Sequence, residues 1–564
     1  MNKKEVIAIL REIGLLLEVK GESFFKSKAY YDAAKTLEQM EDDIEGLVSE
    51  RRLESIKGIG KALSKKITEL VTTGGLAYYD RLKASIPEGL VHMLRIDGLG
   101  PKKIMTLYEK LGITSVEELA KACGENKLSG LPGFSVKTQE KIVEGIERMH
   151  DYDEQFHYPV GHLIGEELLK YMKKSGSIIR CDIAGSLRRK KEIIKDIDII
   201  ASSEEPIKAM EVFVSHPYVE DIIGKGETKT SILLQNGMKA DLRVVSDQQY
   251  PYALHHFTGS KDHNAALRHI AKQEGLKMNE YGVFREETLI PCADEKEIFQ
   301  LFNMAYIPPE LRENNGELKA ARDHSLPKLV GNSDIKGIIH VHTQYSDGNT
   351  TIEELVQACI IKGYTYLGIS DHSQTAVYAG GLTVEHLKRQ HEEIDRLNEK
   401  YPDFTIFKGI ESDILLDGTL DYPDPILESL DFVIGSIHSA FKISEEKMTK
   451  RIIEAVKNPY MTILGHPTGR LLLRREGYML DIKKVIEACI AQHVVIEINA
   501  NPYRLDMDWR HMKWAKEQGA KFIISPDAHS IKELDYVKYG IQVARKGWLE
   551  VGDIINTRQQ ENFL

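Results

Sequence analysis

Apolar positions recur every three to four residues through the first 150 residues, most plainly at 6–17, 63–71 and 104–111. That spacing predicts amphipathic helices. From about residue 175 the period shortens to two. RCDIAGS, KDIDIIAS and KADLRVVS alternate apolar and polar positions and predict short half-buried strands. Beyond residue 334 a third rhythm begins. IKGIIHVH reads as a strand, TIEELVQACIIKG as a helix and YTYLGISDH as a strand, and this alternation continues to the C-terminus. Alternating strands and helices of this kind predict an α/β barrel. The stretch 312–334, RENNGELKAARDHSLPKLVGNSD, is polar and contains Gly, Asn and Pro, which predicts an inter-domain linker.

At 564 residues the chain exceeds one ordinary core and predicts several domains. No apolar run reaches the roughly 18–20 residues that a membrane span needs. The charged start MNKKEVIAILREIG reads as an amphipathic helix and not as a signal peptide. Cys123, Cys181, Cys292, Cys359 and Cys489 are widely spaced without a CxxC pair, so a disulfide framework is not expected and a cytoplasmic setting fits. The net charge of −11 argues against a simple nucleic-acid binder. It is unevenly placed, however, because residues 331–564 carry 27 Lys and Arg against 34 Asp and Glu. Carboxylates that hold cations do not repel DNA as free charges. Binding would then rest on local basic patches.

Such patches occur in a repeated pattern. SIKGIGKALSKKI at 55–67 and RIDGLGPKKIMTL at 95–107 each join two glycines to a basic helix start, and GLPGFSVKTQEKI at 130–142 is a weaker copy. Gly58 and Gly60, and Gly98 and Gly100, would let backbone amides approach a phosphate, with Lys61 and Lys102 supplying charge at the helix N-terminus. One such turn serves packed helices equally well. Two followed by lysines point to a grip on DNA that reads no sequence.

Two groups of residues carry candidate chemistry. Asp196 and Asp198 lie two apart on a predicted strand and share a face, and Asp241 lies in another strand. Three neighbouring carboxylates repel unless hard cations neutralise them, and two such ions could hold the oxygens of a phosphoryl transfer. Gly185, Ser186, Arg188 and Arg189 form a turn just upstream that is suited to phosphate. In the C-terminal part, His340, His342, Asp347, His372, Glu411, His438, His466, Asp527 and His529 lie at or just beyond the ends of apolar strand-like runs. Strand ends of an α/β barrel converge on one face, so these nine groups predict a multinuclear metal site for Zn, Mn or Fe.

The run from IAGSLRRKKEIIKDIDII through KADLRVV to HHFTGSKDHNAALRHIAKQEGLKMNEYGV resembles the palm and thumb of the family X DNA polymerases, and with the N-terminal repeats the resemblance covers about residues 1–315. It implies that Asp196, Asp198 and Asp241 bind Mg²⁺ or Mn²⁺, and that Asp241 helps to deprotonate a primer 3′-hydroxyl. By the same resemblance Gly185, Ser186 and Arg189 would hold a triphosphate, Phe257 and Gly259 would line the sugar, Asn264 would meet the base and Arg268 the template. His256 and Lys261 depart from the family pattern, where Tyr and an acidic residue are common. FFKSKAYYDAAKTL resembles the family's lyase domain, with Lys66 at its Schiff-base lysine, yet Ala62 and Tyr31 stand where phosphate-binding basic residues are usual. Binding of backbone phosphate by Lys66 is the preferred reading, with lyase chemistry the alternative.

Residues 333–564 resemble the PHP (polymerase and histidinol phosphatase) domain, usually a distorted (βα)₇ barrel holding up to three Mn²⁺ or Zn²⁺ ions. The resemblance implies one ion at His340, His342, Glu411 and Asp527, a second at Glu411, His438 and His466, and a third at Asp347, His372 and His529. Asp347 replaces a histidine of some members.

The whole chain therefore resembles a bacterial family X polymerase with a C-terminal PHP domain, a multidomain α+β and α/β protein. The expected domains are a lyase-like helical region at 1–85, a second helix-hairpin-helix region at 86–150, a palm at 151–247, a thumb at 248–315, a linker at 316–332 and a PHP barrel at 333–564. The expected activity is templated gap filling in DNA repair, with 3′→5′ exonuclease and abasic-site cleavage at the barrel. The expected partners are gapped or primed DNA and dNTPs, bound by a monomer away from any membrane. Two rivals remain. One is an untemplated nucleotidyltransferase with a small-ester phosphatase, and the other is a DNA-bridging protein with a degenerate site.

Overall fold

The structure, a computed structural model, describes residues 1, 3–38, 44–56, 58–94, 96 and 99–562. It divides into two compact units, Met1–Asp153 and Glu154–Leu564. Among the described residues the first unit is helical. Helix Lys3–Val19 buries Val6, Leu10, Ile13 and Leu17, one stripe at helical spacing. Helices Lys61–Thr73 and Pro101–Leu111 bury Ile67 with Leu70 and Ile104 with Leu107 into the same core. The periodicity read from the sequence is thus the packing face.

In the second unit a five-stranded sheet is built from β1 (Arg180–Ile183), β2 (Asp196–Ser202), β3 (Val219–Lys225), β4 (Lys229–Leu234) and β5 (Lys239–Val245), in the order β1-β2-β5-β4-β3. Only β2 and β5 run parallel. Alternation sends Ile197, Ile199, Ala240, Leu242 and Val244 into a core beneath helices Tyr158–Lys173 and Pro206–Val214. Asp196, Asp198 and Asp241 therefore share the opposite face. Helices Tyr250–Thr258 and Lys261–Gln273 follow, with a small antiparallel sheet of β6 (Leu276–Asn279), β7 (Gly282–Arg285) and β8 (Thr288–Leu289).

Seven parallel strands then pair in sequence order: β9 (Gly337–Val341), β10 (Tyr366–Ile369), β11 (Thr405–Asp413), β12 (Phe432–Ser436), β13 (Ile463–Leu464), β14 (Val495–Asn499) and β15 (Phe522–Ser525). The end of β9 meets the residues after β15, since His342 N donates to Ala528 O at 2.8 Å and Ala528 N to His340 O at 3.2 Å. The barrel is nearly closed. Strand side chains feed two clusters. Ile338, Leu367 and Ile496 pack with the surrounding helices, while Ile339, Tyr366, Phe432, Ile434 and Ile523 form the second cluster.

The stretch 316–332 differs from a polar spacer. It contains helix Glu317–Arg322, whose Leu318 and Ala321 join the core of the preceding helices. One of its charges is an internal partner: Glu317 is fully buried, 2.6 Å from His263 Nδ1, and it accepts from the Asn314 and Asn315 amides. Just before it, the buried Arg312 pairs with Glu295. Further on, Val330 N donates to Leu549 O, so the segment is fastened to the barrel. Lys319, Arg322, Asp323 and Lys328 remain exposed, and the charges that are buried, Glu317 and Arg312, have ionic partners.

Candidate active sites

On the five-stranded sheet Asp198 and Asp241 are register partners on adjacent strands, and Asp196 lies two residues before Asp198 on the same face. Burial, with Asp196 and Asp241 nearby, lifts the Asp198 carboxyl to about 7, and burial with Asp241 raises Asp196 as well. Two carboxylates so disposed to keep a proton are the donor set that a hard cation fits. Lys229 Nζ lies 2.5 Å from Asp241 Oδ2, a neutralising partner that the sequence reading missed because it stands on the neighbouring strand β4.

The turn upstream is built around Gly185. Its φ is +61°, and a Cβ there would lie 2.1 Å from Asp198 Oδ2. Glycine is needed both for the backbone and for the approach of the carboxylate. Ser186 follows in the short helix Gly185–Arg188. The two arginines are engaged. Arg188 forks onto Glu295 at 2.6 and 3.0 Å. Arg189 donates to Glu313 at 3.1 Å and to the Thr258 carbonyl at 2.8 Å, so it is an internal tie as well as an expected phosphate ligand.

Phe257 is half-buried under the Arg243 guanidinium, 4.3 Å from its ring centroid. Asn264 donates from Nδ2 to His256 O at 2.6 Å and to Gly259 O at 3.2 Å, bracing the turn that carries Gly259. Arg268 is exposed one helical turn further on. The structure thus braces Gly259 with Asn264, and Arg243 reaches Phe257 from the carboxylate strand.

At the barrel, the nine expected residues converge. Three groups have ligand atoms mutually within 4.8 Å: His342, Asp347, His372 and His529; His340, His342 and Asp527; and His372, Glu411 and His438. His466 Nε2 is 3.0 Å from Glu411 Oε1 and completes the set. His342 stands between two groups, with Nε2 3.3 Å from Asp527 and Nδ1 3.8 Å from Asp347. His340 and Asp527 have φ of +63° and +52°, strained values for side-chain-bearing residues that the surrounding packing must enforce.

Buried nitrogens His340 Nε2 and both nitrogens of His342 have no hydrogen-bond partner, which fits ligation. Burial opposes charge on Glu411, yet His438, His340 and His372 hold its carboxyl well below the usual range. Against the same burial, Glu411 and Asp413 raise His438 to about 10, and Asp347 with Asp527 raises His529 to about 9. Burial, with His529 and His372, lowers His342 to about 4. The cluster is strongly anionic in its carboxylates and demands positive charge from imidazolium or from metal.

Sequence reasoning missed the residues behind the ligands. Glu497 accepts from His340 Nδ1, and Asp413 lies 2.5 Å from His438 Nδ1. Such partners fix the ring nitrogen that faces a metal. Asp413 ends its strand, the same signal that marked the ligands, whereas Glu497 stands in the middle of Val495–Asn499. Asn499 donates to Asp527 at 3.0 Å, and Arg504 Nε lies 3.5 Å from the same carboxylate.

In the N-terminal unit Gly60 and Gly100 immediately precede helices Lys61–Thr73 and Pro101–Leu111 in extended conformation, with open space at their Cα atoms. Gly58 has φ of +96°, and Lys61 and Lys102 are exposed. Gly98 lies outside the described residues. The Lys66 ammonium donates to the Tyr30 hydroxyl and lies 3.5 Å from the Tyr78 ring centroid. Burial, then Lys26, lowers its pKa. Among the described residues, no helix is long and apolar enough to cross a membrane.

Comparison with known proteins matches several of these parts. The helix-hairpin-helix domain family matches residues 1–76, the SAM-like helix-hairpin-helix tandem matches 90–148, the DNA polymerase beta thumb matches 253–313 and the PHP domain matches 339–501. A probable phosphatase of Thermoanaerobacter sp. (strain X514) is 31% identical over 236 residues, 39% of this chain and 89% of the relative. A Bacillus subtilis (strain 168) protein named DNA polymerase/3'-5' exonuclease PolX is 41% identical over 564 residues, 99% of this chain and 98% of the relative. This chain belongs to the family X DNA polymerases that carry a C-terminal PHP domain.

Proposed function

We propose that the chain is a template-directed DNA polymerase and 3′→5′ exonuclease, with synthesis at Asp196, Asp198 and Asp241 and degradation at the barrel ligands. The observation that supports this is that one chain carries both a three-carboxylate face beside Gly185 and a convergence of imidazoles and carboxylates at the barrel. The named activities of the Bacillus relative support the pairing. Mg²⁺ or Mn²⁺ at the palm and Mn²⁺ or Zn²⁺ at the barrel would supply Lewis acidity and an activated water.

The residues divide the remaining work. Asp241 accepts the primer hydroxyl proton. Ser186 and Arg189 hold the triphosphate, for which Arg189 must loosen from Glu313. Phe257 and Gly259 shape the sugar pocket, Asn264 meets the base and Arg268 the template. His340, His342, Asp347, His372, Glu411, His438, His466, Asp527 and His529 would hold the barrel ions. The glycine turns at Gly58, Gly60 and Gly100, with Lys61 and Lys102, hold DNA backbone. Lys66 contributes phosphate binding, since Ala62 and Tyr31 leave a lyase site without its basic neighbours. Gap filling in repair, cleavage at abasic sites, a cytoplasmic setting and action as a monomer complete the proposal. The test is primer extension with and without template strand. Templated addition of the complementary nucleotide supports the reading, and equal addition without template favours an untemplated transferase.

Two outcomes follow from the palm geometry. Gly185→Ala is expected to displace Asp198 and lower extension roughly a hundredfold while primer shortening continues, read on one gel. The second concerns pH. The folded Asp198 carboxyl titrates near 7, above its unfolded value of 3.8. Below both values the group contributes its full stability; that contribution is lost as pH rises through about 7. Chelated protein should therefore lose thermal stability between about pH 4 and pH 7, and Asp198→Asn should lose less. Cation binding at the palm should weaken below about pH 7, where a proton competes.

A further inference from the structure

The segment 185–192 carries Ser186 and Arg189, and the barrel holds it from behind. Glu192 is buried and accepts from Trp509 Nε1 at 3.2 Å and from Arg510 at 2.9 Å. Lys546 ends the barrel helix Val537–Lys546 and is 1% exposed. Its ammonium donates to Glu313 at 2.5 Å, to the Arg189 carbonyl at 3.0 Å and to the Glu310 carbonyl at 3.3 Å, which uses all three of its protons. Glu313 in turn accepts from the Arg189 guanidinium, whose other bond reaches the carbonyl before Gly259. Contacts therefore run without a gap from a barrel lysine to the expected triphosphate arginine and the sugar-pocket turn.

We propose that Lys546 is a positioning residue for nucleotide binding at the palm, sharing the charge of Glu313 so that Arg189 is free to exchange it for a triphosphate. The proposal rests on the polymerase reading above. Its direction follows from charge. Glu313 is 10% exposed and has two cationic partners, Lys546 and Arg189. Without Lys546 a nearly buried carboxylate keeps Arg189 as its remaining partner, and a triphosphate must compete against a stronger pair. Burial lowers the Lys546 ammonium to about 8; Glu313 opposes this, and Lys191 and Arg189 add to it. Glu310, the other carboxylate at this contact, pairs with Arg545 at 2.6 Å, and the Trp509 ring lies 4.6 Å from the ammonium. The wild-type KM for dNTP should therefore climb as pH passes about 8.

The experiment measures dNTP dependence of gap filling by the full chain, with primer shortening in the absence of dNTP as the internal control. Lys546→Met is expected to raise KM for dNTP roughly tenfold with kcat and shortening little changed. Lys546→Arg should restore most of the affinity and abolish the rise of KM through pH 8. The double variant Lys546→Met with Glu313→Gln should recover toward wild type, because no unpaired carboxylate is left to hold Arg189. It also serves if the single variant folds poorly. An unchanged KM in folded Lys546→Met overturns the proposal, as does a proportionate fall of kcat and shortening, which would make Lys546 merely structural. A wild-type chain that fails to extend any templated primer would instead overturn the polymerase reading.

Discussion

Replacing Asp196 and Asp198 together by alanine is expected to abolish primer extension and leave primer shortening near the wild-type rate. The two side chains share one face of β2 beside Asp241, so their loss removes two of the three cation donors. Metal stabilisation of a phosphoryl transfer amounts to several kcal/mol, and about 1.4 kcal/mol corresponds to tenfold in rate. Extension should fall by more than about a thousandfold. Folding should survive, because both carboxylates raise their own pKa through burial and repulsion and cost stability in the absence of cations. Extension and shortening measured on the same labelled primer, with a melting curve as control, check this. Loss of both activities in a folded variant would contradict separate sites.

The converse change is His342→Ala. His342 is fully buried and stands between two ligand groups, facing Asp527 with Nε2 and Asp347 with Nδ1. Its removal should disturb both groups, lower the metal retained after dialysis by at least one ion and cut shortening by more than about a hundredfold. Extension should persist, since the palm carboxylates stand on the five-stranded sheet and, among the described residues, share no metal-holding group with the barrel ligands. Elemental analysis together with the primer assay distinguishes ligand loss from unfolding, which would remove both activities.

Much of this was legible because ligand placement follows periodicity. Asp196, Asp198 and Asp241 were readable as one face from alternation alone, and each barrel ligand announced itself beside an apolar strand. What escaped was pairing across long sequence separations. Nothing near Glu497 in VVIEIN indicates that it orients His340, 157 residues away. Nothing near Arg189 indicates that Glu313 and Lys546 hold it. The same blindness explains 312–334. Its charged composition reads as solvated spacer, whereas Arg312 and Glu317 are buried against Glu295 and His263. Composition reports which charges are present, and only the fold reports which are satisfied.

The central claim is that one chain both adds and removes nucleotides, at different sites. Its most direct test is a labelled primer on one-nucleotide-gapped DNA with Mn²⁺, followed with and without dNTPs. The expected result is extension by the templated nucleotide when dNTPs are present and 3′→5′ shortening when they are withheld. Extension without shortening, or shortening without extension, under metal conditions that saturate both sites would contradict it.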